Sequence, residues 1–163
     1  MGRKATIASG NVWYEARMEA AKTNEKLRSR FGAADEAGMS EDAIKNTELG
    51  IEKQMPVDKA VILADLYGAP QLLNYYCLHE CPIGKNSPVS DEVLSISQAA
   101  VKLLKWMKPS LVQQMMDRLL DIAQDDRVTG DEMDDLREIV DYLDGVSVAI
   151  SQLKTISQMV TVA

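Results

Sequence analysis

The stretch that most constrains this chain is Ser29–Gly50, SRFGAADEAGMSEDAIKNTELG. It reads as two short helices joined by a tight turn. Ala33, Ala34 and Ala37 give the first helix a small-residue face that a second helix can cross closely. Gly38 readily takes the left-handed conformation that ends a helix, and Met39 follows as an apolar plug. Ser40 is a good N-cap, and Ile44 falls one turn inside the next helix. A small residue, a glycine, an apolar residue and a serine between two short helices make the pattern of a helix-turn-helix.

These residues resemble the Xre or phage-repressor (Cro-like) helix-turn-helix transcriptional regulators of bacteria and phages. The matching positions are Ala34, Gly38-Met39-Ser40, Ile44 and Glu48-Leu49-Gly50. Downstream, Pro56–Leu66 (PVDKAVILADL) looks like the family's fourth helix, and ADLYGAPQLLNYYCLHECPIG is similar to a Gram-positive subset of the family. The likeness covers residues 11 to 84, about half of the chain. It implies an all-α fold, a second helix of the motif lying in the major groove of double-stranded DNA, and a homodimer reading a palindrome. It also implies a pairing of Arg17, on the first helix, with Glu48, which closes the recognition helix; the alternative is a surface arginine.

Composition agrees with helices. Gly and Pro gather mostly at element ends and β-branched runs are few. No apolar run reaches membrane-spanning length, and MGRKATIASG has no hydrophobic signal core, so a cytoplasmic protein with no membrane partner is expected. Two cysteines do not make a disulfide framework. The net charge of −7 argues against a generic nucleic-acid coat. It is unevenly spread: residues 1–90 carry 11 Lys/Arg against 12 Asp/Glu, whereas residues 91–163 carry 7 against 13. An acidic accessory domain can thus sit beside a near-neutral domain that makes local phosphate contacts.

In chain order, a first helix runs from an Asn11 cap to about Ala21, after a polar tail in which Arg3 and Lys4 could touch phosphate. Lys22, Lys26, Arg28 and Arg30 then cluster where the second helix approaches a DNA backbone, and Ser29 as N-cap exposes amides there. Lys26, Arg28, Ser29 and Arg30 are the candidate phosphate contacts; the alternative is a solvated loop. On the third helix Glu41, Asp42, Lys45 and Asn46 can face a groove, while Ala43, Ile44 and Thr47 turn inward. Lys45 can donate to guanine, Asn46 can bond adenine in bidentate fashion, and the two acids can accept from cytosine N4. The acids repel phosphate, which leaves room for a protein-interaction module that keeps the fold and has lost DNA binding. Pro56 starts a fourth helix with Val57, Val61, Ile62, Leu63 and Leu66 as a buried stripe, Gly68 ends it, and Pro70 opens a fifth. Cys77 and Cys81 lie four apart with His79 between, a weak metal candidate lacking a fourth ligand; no metal or cofactor is expected.

The DNA-binding domain is therefore placed at residues 11–81, a linker at 82–89, and a three-helix array for dimerisation or interaction at 90–160. Ser90 is read as the cap of the sixth helix, with Val93, Ile96, Ala100, Leu103 and Met107 as its stripe. Pro109 separates a seventh helix with Leu111, Val112, Met115, Leu119 and Ile122 inward. Asp125–Gly130 begins like a calcium loop, but Arg127 and Leu136 stand where ligands belong. Thr129 and Glu132 instead form a capping box. The last helix, about 26 residues, carries Leu136, Ile139, Leu143, Val146, Ile150 and Leu153, with Gly145 suited to a close crossing. Three such helices bury limited surface alone, so a second copy is expected. With one histidine, no Gly-rich phosphate loop and no nucleophile in a recognisable setting, no enzyme is expected.

Overall fold

A computed structural model describes residues 8–124 and 127–160; Arg3, Lys4 and the Asp125-Asp126 start of the loop lie outside these. The described residues form eight α-helices and no strand. The helices are α1 Val12–Ala20, α2 Arg30–Ala37, α3 Glu41–Glu48, α4 Val57–Leu66, α5 Gln71–His79, α6 Ile96–Trp106, α7 Pro109–Ile122 and α8 Gly130–Met159. None of them is long and apolar enough to cross a membrane. The chain divides at Ser87–Pro88 into two compact units, the first with α1–α5 and the second with α6–α8.

In the first unit the caps follow the local chemistry. The Asn11 carboxamide accepts from the Trp13 and Tyr14 amides. Ser29 and Ser40 accept from the Gly32 and Ala43 amides, opening α2 and α3. Gly38 closes α2 at φ +64°, where a side chain would be strained. The core is Trp13, Leu27, Ala33, Ala34, Ile44, Leu63, Leu72 and Tyr76, with Met39 packed against it. The expected stripe of α4 is corrected here. Leu63 is buried, but Val57, Val61 and Ile62 are exposed, and Lys59, Ala60 and Ala64 point inward instead. The expected 82–89 linker is partly folded: Gly84–Asn86 makes a 3-10 turn, and a Cβ at Gly84 would strike the Cys77 backbone.

In the second unit α6 begins five residues later than expected. Ser95, in a capping box with Gln98, is the cap, and Ser90 is not. Ser90 donates its amide to Ser151 Oγ at 3.1 Å, tying the incoming chain to α8. Gln152 donates to Glu92 and Ser90 beside it. At the other end of α6, the Trp106 ring lies on Gly145, where a Cβ would come within 2.5 Å of it, and the Tyr142 hydroxyl donates to the Trp106 carbonyl. Further back along α8, the Arg118 guanidinium of α7 meets Asp135 and Glu138. Thus α6 and α7 follow each other along α8, running opposite to it. Ile122 and Ile139 are buried as expected, but the rest of the buried faces differ from the expected stripes: Val93, Ile96, Met107, Leu119, Leu143 and Ile150 are exposed, while Ala99, Ala149 and Ile156 are buried. On α8 the packed face is turned toward Tyr142, Gly145, Ala149 and Gln152, because Gly145 accepts the indole.

Candidate nucleic-acid interface

The helix pair α2–α3 is held from behind by one carboxylate. Arg17 Nε donates to Glu48 Oε1 at 2.5 Å, and Arg30 Nε donates to Glu48 Oε2 at 2.7 Å. The Arg17 and Glu48 side chains are 3% and 1% exposed, so this pair has left water. Arg17 also donates to the Leu27 carbonyl at 2.7 Å and lies over the Tyr14 ring. One charged node thereby joins α1, α2, α3 and the 3-10 turn Glu25–Arg28. Burial pushes the nearby Tyr67 phenol above its ordinary range, and the Glu48 carboxylate adds to that.

Two further ties reach α3 through its backbone carbonyls. Asn11 Nδ2 donates to the Thr47 carbonyl at 3.1 Å. Lys59 Nζ, nearly buried, donates to the Ala43 carbonyl at 2.8 Å and to Glu52 Oε2 at 2.7 Å. Sequence reasoning missed Lys59. Its signal is its place one turn before Leu63, on the buried face of α4.

On the other face of α3 stand the candidate base contacts. Glu41, Asp42 and Lys45 are exposed and Asn46 is half-buried, while Ile44 and Thr47 are buried. Lys45 Nζ lies 3.5 Å from Asp42 Oδ1, one turn earlier, so the cation carries its own acid. Glu41 and Asp42 complement the positive end of α3.

The candidate phosphate contacts are also paired. Lys26 meets Glu36 at 2.6 Å, which raises the lysine's pKa, and Arg28 meets Glu25 at 3.0 Å. Arg30 turns away toward Glu48, and the Ser29 hydroxyl is occupied in capping. Lys26 and Arg28 remain open to solvent. A Cβ on Gly32 would collide with the Lys26 carbonyl, so glycine alone lets the 3-10 turn back onto the start of α2.

The Cys77, His79 and Cys81 group is not gathered into a site. The cysteines are half-buried free thiols, and Cys81 Sγ accepts from the Gly84 amide at 3.3 Å. His79 is exposed with its ring 4.4 Å from that of Tyr75. Among the described residues no group of three or more His, Cys, Asp or Glu is placed to hold a metal ion. Comparison with known protein families, curated proteins and solved structures gives no match for this chain.

Proposed function

We propose that this chain is a sequence-specific DNA-binding transcriptional regulator that acts as a homodimer and reads bases with α3. The observation that carries this reading is the division of α3 into two faces. Its inner face is fixed by Glu48, Thr47 and the Ala43 carbonyl, and its outer face presents Lys45 and Asn46. A rigid helix offering an amine and a carboxamide one residue apart suits guanine and adenine edges in a major groove. Lys26 and Arg28 are the phosphate contacts, exchanging Glu36 and Glu25 for backbone oxygens, and Arg30 serves by holding Glu48.

A second reading has its own support. Every candidate cation at this face has an acid of the same chain within 4 Å, as expected of a protein-interaction module that has kept the architecture and dropped nucleic acid. Selection from random duplexes at low and moderate salt separates the two. The regulator enriches a palindromic motif. Lys45→Ala with Asn46→Ala abolishes the enrichment, and Arg28→Ala weakens binding to all sequences while lowering the salt slope by about 1. Absence of retained DNA at low salt leaves the interaction module standing.

A further inference from the structure

The face of α8 that α6 and α7 leave uncovered carries its own regular stripe. Met133, Leu136, Val140, Leu143, Ser147 and Ile150 succeed one another at steps of three, four, three, four and three. These are the a and d positions of a coiled-coil seam. Met133, Val140, Leu143 and Ile150 are 39%, 47%, 52% and 40% exposed, and Leu136 and Ser147 are half-buried. A seam of this length left in water is not what a lone helical hairpin requires. We infer that the α8 helices of two copies of this chain pack along this stripe, antiparallel, about a two-fold axis passing between Asp141 and Tyr142.

The direction follows from charge. Residues 130–144 hold seven Asp/Glu and one Arg, whereas residues 145–160 hold one Lys and no acid. A parallel pair stacks two strongly acidic halves on each other. An antiparallel pair sets each acidic half against the other copy's neutral, weakly basic half. The register is self-consistent too. Val140 meets the partner's Leu143, Leu136 meets the partner's Ser147, and Met133 meets the partner's Ile150. Beside the seam Arg137 faces the partner's Asp144, twice by symmetry, and Lys154 falls near the partner's Glu132. The inference deepens the dimer of the proposed function without depending on DNA binding.

The test uses the full chain without DNA. Sedimentation equilibrium finds the unaltered protein dimeric. Val140→Lys with Leu143→Lys, at exposed positions, weakens association on the order of a hundredfold or more while leaving helical circular dichroism unchanged. Direction is read with Cys77→Ser and Cys81→Ser in every chain. Met133→Cys mixed with Ile150→Cys gives a disulfide-linked pair on oxidation, and neither variant alone does so. A monomeric unaltered protein, an undiminished dimer in the lysine variant, or cross-linking of Met133→Cys with itself each overturns the inference. A dimer that binds no DNA overturns only the regulator.

Discussion

Replacing Glu48 by glutamine tests whether one carboxylate locks the first unit together. The substitution keeps the shape and removes the charge shared by Arg17 and Arg30. Arg17, 3% exposed, is then a buried cation without its anion, and stranding one partner of a buried pair costs about 3–5 kcal/mol. The Arg30 contact adds little, since that side chain is 28% exposed and such pairs are worth about 0–1 kcal/mol. For a domain of this size, at about 4–8 °C per kcal/mol, the midpoint falls by roughly 12–40 °C. That is a large part of a total stability of about 5–15 kcal/mol. Trp13 lies in the first unit and Trp106 in the second, so a Trp106→Phe background makes urea unfolding followed by fluorescence a report on the first unit alone. The double variant Arg17→Met with Glu48→Leu, which removes both charges, loses less than the sum of its parts. A Glu48→Gln cost under about 1 kcal/mol, or strict additivity in the double variant, refutes the lock.

Other expectations follow from single contacts. Gly145→Ala gains about 1 kcal/mol of helix propensity but drives a methyl into the Trp106 ring, costing about 1–3 kcal/mol. The net effect is a lower urea midpoint, partly restored by adding Trp106→Leu. Lys59→Met leaves Glu52 and the Ala43 carbonyl short of a donor and costs about 1–3 kcal/mol, read as a lower midpoint and faster amide exchange in α3. The Thr129 amide and hydroxyl hold the Glu132 carboxyl below its ordinary value of 4.5. Its contribution to stability is therefore complete above that value and is lost as pH falls through the lowered one. Glu132→Gln should lower the midpoint near neutrality and converge with the unaltered protein in acid, measured by urea titration across pH.

The sequence announces some parts of this molecule and conceals others for definite reasons. Caps at Asn11, Ser29 and Ser40, and the glycine stop at Gly38, are local, and local hydrogen bonds place the boundaries of α1 to α3 where the residues say. Faces are harder. On α4 hydropathy favours Val57 and Val61, yet Lys59 goes inward because Glu52 and a carbonyl of α3 satisfy its amine. On α8 apolar residues occupy more than half the circumference, so spacing alone leaves open which side meets α6. The indole at Gly145 decides that, and only tertiary structure reveals it. Ser90 and Ser95 are equally good caps by type, and Ser90 is taken instead by Ser151. At the candidate interface the exposure of Lys45 follows from helical period, whereas its pairing with Asp42, and that of Lys26 with Glu36, depend on side-chain reach.

The ties on α3 have a consequence for variation. Asn11 and Lys59 grip main-chain oxygens, which every amino acid supplies, and the remaining grip is on Glu48 at the far end. Positions 41, 42, 45 and 46 make none of these ties; they add only the exposed Lys45–Asp42 contact and the first-turn acids that suit the start of the helix. Their letters can therefore be rewritten together with stability moving by about 0.5 kcal/mol or less per site. The scaffold is re-addressable: whatever α3 touches, its choice of target can drift while the body that carries it stays as it is.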